Sequence, residues 1–338
     1  MSRLFATAFY ETRPMYFSAV DAKKAGYIDL PVHPLLVLGM AMSLGMEADS
    51  EQAIAHLGFR DLYLHRPIYP DMMLRTMTQV VDVAVKGDHH PGVVELRSAV
   101  VGDDRVPVIH YRRSMLVRRR PGDFDARPIG DEQVQFPDLT VRSWFPPAME
   151  SWPAAPDYNQ GDVILHQSRR TVTDEHVTWA SWLGSTHPAH FDQLYPGDED
   201  TSGHGPEVHS SLVLAWAAGL AGRDTVQSAV AEIGYDDGHE AAPIRSGDTI
   251  AVLSKVLDRV AVEEGTEMAF RLVAIKNQTA DEGWDQWGAS IFDSELGKEE
   301  GRRVPNKVLE ITRRVLFAPT PLEVVPGQAR SLRVVPES

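Results

Sequence analysis

The chain has 338 residues, 43% of them hydrophobic and 24% charged, with a formal charge of −15 and no cysteine. The missing cysteines exclude disulfides, zinc–cysteine sites and thiol catalysis, and the acidic balance disfavours nucleic acid as a partner. The apolar runs are shorter than the ~20 residues of a membrane span and the N-terminus resembles no signal peptide, so we expect a cytoplasmic protein with no membrane partner.

Apolar runs and β-branched segments predict the same order of elements in each half of the chain. In the first half we expect a buried helix over Leu35–Met42, then strands over Met73–Val83, Gly92–Val101 and Val106–Arg118. In the second half we expect helices over Val177–Gly184 and Leu212–Ala218, then strands over Thr249–Val262, Glu267–Asn277 and Trp284–Asp293. A buried helix followed by an antiparallel meander indicates the α+β class.

Seven prolines between Pro121 and Pro156 predict a linker between two domains, because proline favours extended backbone. Trp144 and Trp152 within it are expected to pack against a domain. The predicted organisation is a domain over 1–120, a proline-rich linker over 121–157, a second domain over 158–320 and a tail over 321–338. The chain length agrees with two domains.

An internal repeat relates the two halves. Val32-His33 recurs as Val208-His209, 176 residues later, and four further blocks recur in the same order at nearly the same offset. Those blocks pair Leu57-Gly58-Phe59 with Ile233-Gly234-Tyr235, Pro67-Ile68 with Pro243-Ile244, Val80-Val81-Asp82 with Val256-Leu257-Asp258, and Thr12–Phe17 with Thr186–Phe191. The repeat predicts two similar domains that pair through their sheets, since pairing protects exposed edge strands.

The second repeat carries motifs that resemble those of the MaoC-like dehydratases. Arg170-Thr171-Val172-Thr173 resembles the entry to that family's active-site helix, with Thr173 as N-cap. Gly184-Ser185-Thr186-His187-Pro188-Ala189-His190 stands where (R)-specific enoyl-CoA hydratases carry Gly-Asp-x-Asn-Pro-x-His. Val208-His209-Ser210-Ser211 stands where they carry Val-His-Gly-Met, and Pro243–Thr249 resembles their Pro-Val-x-x-Gly-Asp-Thr.

The resemblance implies a tandem hot-dog fold, in which two antiparallel sheets each wrap a buried central helix and form a pseudo-dimer. Length and arrangement are most similar to those of mesaconyl-CoA hydratases, also called β-methylmalyl-CoA dehydratases. The implied activity is reversible hydration of a short branched or dicarboxylic 2-enoyl-CoA, without a cofactor other than the coenzyme A of the substrate. A homodimer of such pseudo-dimers is a further expectation.

The same resemblance gives the candidate site residues. His190 is the predicted base, because it retains the motif histidine and imidazole titrates near neutrality. Ser185, which replaces the family's acid, and His187, which replaces its asparagine, are weaker catalytic candidates. Thr186, His209, Ser210 and Ser211 are the predicted substrate-binding residues. Backbone N–H groups at the start of the helix that follows His209 are expected to hold the enolate oxygen.

The first repeat has lost this motif, since Tyr16 stands in place of His190 and Glu11 in place of Ser185. We expect it to contribute substrate contacts but no acid or base. His33 matches His209, which favours a structural role for that shared ring. The histidines show no metal-binding spacing, so no metal site is predicted.

Two other functions remain open from the sequence. A hot-dog thioesterase needs a carboxylate beside the thioester carbonyl, for which Asp192 is the nearest candidate. A non-catalytic acyl-CoA-binding protein is favoured by the loss of the family's acid at Ser185.

Overall fold

The computed structural model describes residues 1–85, 91–118, 135–139, 144, 152–195, 205–318 and 334–335. Most of the predicted linker over 121–157 and nearly all of the predicted tail over 321–338 lie outside the described residues. None of the helices in the described ranges combines the length and the hydropathy that crossing a membrane requires.

The described part contains seven α-helices and ten strands. The helices are α1 Ser2–Ala8, α2 Ala19–Lys24, α3 Pro34–Leu44, α4 Met46–Asp49, α5 Asp174–Trp182, α6 Ser210–Thr225 and α7 Ala280–Trp287. The strands are β1 Ala53–Leu64, β2 Arg75–Val85, β3 Gly92–Val101, β4 Pro107–Val117, β5 Val163–Thr171, β6 Ala229–Glu240, β7 Thr249–Val262, β8 Gly265–Lys276, β9 Lys307–Phe317 and β10 Val334–Val335. Four 3-10 turns cover Pro14–Tyr16, Pro188–His190, Gly288–Phe292 and Glu300–Arg302.

The strands form one antiparallel sheet in the order β10-β5-β7-β8-β9-β6-β1-β4-β3-β2. The two repeats meet at its centre, where Leu62 of β1 lies opposite Tyr235 of β6. This arrangement confirms the predicted α+β fold and the pairing of the halves through their sheets. The two predicted sheets are continuous with each other, since β1 and β6 pair directly.

The central helices α3 and α6 are buried because they are apolar on nearly every face. They pack closely where Gly39 of α3 faces α6: a Cβ built on Gly39 would come within 2.8 Å of Ser211 Oγ. Each helix begins after a histidine whose Nδ1 accepts a backbone N–H, from Leu35 for His33 and from Ser211 for His209. The structural role predicted for this shared histidine is therefore confirmed.

The strand predicted over Trp284–Asp293 is wrong. Helix α7 and a 3-10 turn occupy that segment, and the strand of the second repeat that follows is β9. Thr279 and Glu282 form a capping box, in which each side chain binds the backbone N–H of the other, and this starts the helix.

Strands β1, β5, β6, β9 and β10 were not expected from the sequence. In β1 and β6, register shifts between His56 and Gly58 and between Glu232 and Gly234 interrupt the period-two alternation on which strand prediction depends. The two tryptophans of the linker pack as predicted. Trp152 donates to the carbonyl of Ser228, and Trp144 lies over Tyr27 with ring centroids 4.8 Å apart.

Candidate active site

Two cavities occupy equivalent positions in the two repeats. The open cavity, of about 450 Å³, is lined by His190, His209, Ser210 and Glu240 of the second repeat and by the start of β1. The other cavity holds only about 40 Å³, and we name it the closed cavity for this small volume. It is lined by the matching residues Tyr16, Pro34 and Leu64 of the first repeat and by the start of β6, including Glu232. The size difference places the candidate site in the open cavity.

His190 lies in the 3-10 turn after α5 and lines the open cavity. Its Nδ1 donates to the carbonyl oxygen of Glu207 at 2.9 Å, which leaves the lone pair on Nε2. Nε2 forms no hydrogen bond to any described residue. Burial lowers the pKa of His190 to about 4, and the bond to Glu207 offsets only part of that effect. The imidazole is therefore neutral at pH 7 and can accept a proton.

His209, a predicted substrate-binding residue, has its ring centroid 4.9 Å from that of His190. Its Nδ1 accepts hydrogen bonds from the N–H and the hydroxyl of Ser211, so it caps α6 rather than taking up a proton. Burial and the neighbouring His190 lower its pKa well below the usual value. His209 thus forms part of the cavity wall as a neutral ring.

Ser210 is the first residue of α6 and lines the open cavity. Its backbone N–H donates to no described residue, as expected for the first turn of a helix. Its hydroxyl donates to Oε2 of Glu240 at 2.8 Å. The start of α6 therefore offers the cavity one unpaired N–H together with the positive end of the helix dipole.

Glu240, at the end of β6, supplies the carboxylate that the motif lacks at Ser185. Its Oε2 accepts from Ser210, and its Oε1 accepts from Nδ1 of His56 at 2.8 Å. Its negative charge also acts on His190, where it favours the protonated imidazole. Two donors hold the carboxylate in place within electrostatic range of the candidate base.

The structure does not bring every predicted residue to the cavity. His187 reaches the wall, where its Nε2 donates to the carbonyl of Ala53 and its Nδ1 accepts from Ala189, so both ring nitrogens are engaged. Ser185 is buried beyond the wall, with its N–H bonded to the carbonyl of Ala180 at the end of α5. Proton transfer is therefore not supported for either side chain.

Two predicted substrate-binding residues also lie away from the wall. Thr186 is exposed on the loop after α5. Ser211 is buried, and its hydroxyl donates to His209 on the side of α6 that faces α3. Direct contact with a ligand in the open cavity is consequently supported for His209 and Ser210 only.

The first repeat shows how the same fold closes this site. Tyr16 lies over His33 with centroids 4.9 Å apart, the separation found between His190 and His209. Pro34 replaces Ser210 and removes both the hydroxyl and the N–H, and Leu64 replaces Glu240. The first repeat therefore lacks the base, the carboxylate and the N–H donor of the second at the matching positions.

A buried ionic network surrounds the closed cavity. Arg13 binds both Glu11 and Glu232, and Arg313 binds Glu232 through two further hydrogen bonds. Burial alone would raise the pKa of Glu232, but Arg313 and Arg13 hold it at about 2. Burial likewise opposes ionisation of Glu11, yet Arg13 and His33 keep its pKa well below the usual value.

Sequence reasoning missed Glu240 and His56 as site residues. A comparison of the two repeats could have identified them, because at the 176-residue offset Glu240 matches Leu64 and His56 matches Glu232. A charged residue that replaces an apolar one between otherwise similar repeats indicates a change of function. Among the described residues, no group of three or more His, Asp or Glu side chains is placed to hold a metal ion.

Comparison with known proteins identifies the family of the chain. The sequence model of the mesaconyl-CoA hydratase family matches residues 3–282. A β-methylmalyl-CoA dehydratase from Chloroflexus aurantiacus is 26% identical over 287 residues, which cover 80% of this chain and 81% of the relative. A mesaconyl-CoA hydratase from Cereibacter sphaeroides is 27% identical over 286 residues, covering 80% and 82% of the two chains.

Solved structures share the fold. A putative MaoC domain dehydratase from Chloroflexus aurantiacus superposes with a TM-score of 0.73 and 21% identity, covering 95% of this chain and 92% of the other. A double hot-dog protein from Mycobacterium tuberculosis gives a TM-score of 0.69 with 18% identity and coverages of 93% and 90%. The fold is thus a double hot-dog, and the chain belongs to the mesaconyl-CoA hydratase family.

Proposed function

We propose that the protein is a hydro-lyase that adds water reversibly across the double bond of a short branched or dicarboxylic 2-enoyl-CoA such as mesaconyl-CoA. Family membership supports the reaction class. The observation that carries the proposal is the asymmetry of the repeats: a neutral imidazole, a fixed carboxylate and a free helix N–H line the open cavity, and the closed cavity has none of the three at the matching positions.

In the proposed reaction, Nε2 of His190 takes a proton from water while the water oxygen bonds to the β-carbon. The π electrons of the double bond move onto the thioester, whose carbonyl oxygen becomes an enolate oxygen. The imidazolium then returns the proton to the α-carbon, so that one water is consumed and the base is restored. Each step in the reverse direction gives dehydration.

Glu240 stabilises the imidazolium formed on His190, because its negative charge favours the protonated ring. Its two hydrogen bonds, from His56 and Ser210, keep the carboxylate oriented. The carboxylate thus compensates for the acid that Ser185 replaces, from a different element of the fold.

The enolate oxygen requires a hydrogen-bond donor where negative charge develops. The N–H of Ser210 and the dipole of α6 provide one at the cavity wall. In the first repeat Pro34 occupies this position and has no N–H to donate. Coenzyme A enters the reaction as part of the substrate, and the chain's own residues carry each step described above.

The test is incubation of the purified protein with mesaconyl-CoA and crotonyl-CoA. Loss of the enoyl thioester absorbance without release of free thiol supports the proposal. Release of free thiol would establish a thioesterase instead, although Asp192, the carboxylate expected for that reaction, is exposed and accepts a hydrogen bond from the N–H of Leu194. Saturable binding without either change would establish an acyl-CoA-binding protein. The homodimer stays a prediction that light scattering of the purified protein can test.

A further inference from the structure

Arg113 of β4 is an incompletely paired buried arginine at the wall of the open cavity. Its side chain is 2% exposed. Nη2 binds Asp49 and contacts Ser50, whereas Nε is buried without a hydrogen-bond partner. No described residue accepts a hydrogen bond from Nη1. Nε is sealed from the cavity, so Nη1 is the donor that a ligand can reach, and an acceptor that pairs with this buried guanidinium gains affinity.

The matching arginine beside the closed cavity, Arg313 of the second repeat, has all three guanidinium nitrogens paired. Arg313 occupies the same register on β9 that Arg113 occupies on β4, since each lies opposite the equivalent residue of the neighbouring strand, Tyr235 or Phe59. Its Nε and Nη2 bind the two oxygens of Glu232 at 2.7 and 2.8 Å, and its Nη1 binds the carbonyl of Ala218 at 2.8 Å. The carboxylate of Glu232 thus occupies the fork of Arg313.

No carboxylate of the described residues occupies the corresponding position beside Arg113. His56 matches Glu232 between the repeats. His56 lies opposite the residue two positions after Arg113, just as Glu232 lies opposite the residue two positions after Arg313. The side chain of His56 instead donates to Glu240. Beside the closed cavity the carboxylate of Glu232 occupies this place, whereas beside the open cavity the same place is part of the wall of the 450 Å³ cavity.

From the incomplete hydrogen bonding of Arg113 we propose that this arginine binds the free carboxylate of a dicarboxylic enoyl-CoA and so selects that substrate class. This inference rests on the proposed function. Guanidinium N–H groups form short, charge-assisted hydrogen bonds with carboxylates, and Nη1 of Arg113 carries such donors without a partner among the described residues. An arginine between two carboxylates has a precedent in this chain, because Arg13 binds both Glu11 and Glu232. Asp49 would then bind Nη2 of Arg113, and the substrate carboxylate would bind Nη1.

The two glutamates that line the cavity are paired with other residues and therefore do not compete for Arg113. Glu240 is bound by His56 and Ser210, and Glu207 is paired with Arg245. The remaining arginine of the wall, Arg303, is exposed, and its Nε donates to the carbonyl of Lys298. Arg113 is thus the buried guanidinium of the open cavity with unused donors.

The test compares mesaconyl-CoA with 2-methylcrotonyl-CoA, in which a methyl group replaces the carboxylate on the same carbon skeleton. We expect the wild-type protein to prefer mesaconyl-CoA in kcat/KM. Arg113→Gln should lower kcat/KM for mesaconyl-CoA by about 10²-fold or more, the usual effect of breaking a buried charge-assisted contact. Its kcat/KM for 2-methylcrotonyl-CoA should stay within about threefold, since that substrate has no carboxylate to lose.

Arg303→Gln is the matched control, because it removes an arginine from the same cavity and should leave the ratio of the two kcat/KM values unchanged. If Arg113→Gln fails to fold, Arg113→Lys retains the charge beside Asp49 but loses the fork, and the ratio should still fall by about tenfold or more. An unchanged ratio in a folded variant of Arg113 overturns the inference while the proposed function stands.

If the wild-type protein hydrates neither thioester, the proposed function is wrong, and calorimetric binding of the two thioesters still decides the role of Arg113. Tighter binding of mesaconyl-CoA that Arg113→Gln abolishes supports the carboxylate contact. Equal binding of both thioesters by the wild-type protein contradicts it.

Discussion

Nδ1 of His56 lies 2.8 Å from Oε1 of Glu240, although 184 residues separate the two in the sequence. His56 belongs to β1 of the first repeat and Glu240 to β6 of the second, and these strands pair at the centre of the sheet. The repeat that lost its own site therefore holds the carboxylate of the other in place. The open cavity is complete only when both halves are folded together.

Glu240→Gln should lower kcat/KM for mesaconyl-CoA by about 10²-fold, because the neutral amide cannot stabilise the imidazolium on His190. Steady-state kinetics measure the loss, with circular dichroism as the folding check. His56→Gln keeps a donor near Glu240 and should cost less than Glu240→Gln. A larger loss for His56→Gln would show that the ring of His56 carries a proton itself.

His190→Ala should lower kcat/KM by about 10²-fold or more, the usual contribution of a positioned base. Ser185→Ala should stay within about threefold of the wild-type protein, since Ser185 lies outside the cavity wall and its hydroxyl has no hydrogen-bond partner. Parallel kinetics of the two folded variants are the measurement. The assignment of the base to His190 fails if Ser185→Ala is the more damaging change.

Tyr16→Phe should leave turnover within about twofold of the wild-type value. Burial raises the pKa of Tyr16 far above its usual range, so the phenol cannot act as a base near neutral pH. Tyr16 also lines the closed cavity rather than the open one. Loss of activity in a correctly folded Tyr16→Phe protein would contradict the assignment of the site to the second repeat.

The pH dependence of kcat/KM should reflect the lowered pKa of His190. Because that pKa is about 4, the base stays unprotonated from pH 8 down to about pH 5, and the rate should not fall near pH 6.5. A pH–rate profile with stopped assays checks this. A decline centred near pH 6.5 would mean that a different group acts as the base.

The stability of the fold should decrease as the pH is lowered from about 6.5 to 4. In the unfolded chain His190 binds a proton below about pH 6.5, whereas in the folded chain it does so only near pH 4. The unfolded state therefore binds more protons between these values, and the melting temperature should drop as the pH is lowered from about 6.5 to 4. His190→Gln should reduce that drop, and an identical pH dependence in the variant would exclude a contribution from His190.

Glu232→Gln should destabilise the fold by about 3–5 kcal/mol, because it leaves the buried guanidiniums of Arg13 and Arg313 without their shared carboxylate. Urea unfolding measures the change in the free energy of unfolding. Glu267→Gln, which breaks the more exposed pair with Arg314, is the control and should cost less than about 1 kcal/mol. Equal effects of the two changes would show that the buried network contributes no special stability.

The sequence alone determined the repeat, the two buried central helices and the position of the candidate base. Helices α3 and α6 were predictable because an apolar run is a local signal, and His190 because its motif is contiguous. The last strand was not predictable in the same way: the capping box of Thr279 and Glu282 starts a helix where the composition of Trp284–Asp293 favoured a strand.

The tertiary structure decided which side chains form the site. Ser185 lies within the recognised motif yet outside the cavity wall. Glu240 and His56 come together only because the end of β6 and the start of β1 lie beside the start of α6. The unused donors of Arg113 also depend on tertiary structure. The strand register puts His56 beside Arg113, at the position that Glu232 takes beside Arg313. Such contacts join residues far apart in the chain, and local patterns of hydrophobicity carry no information about them.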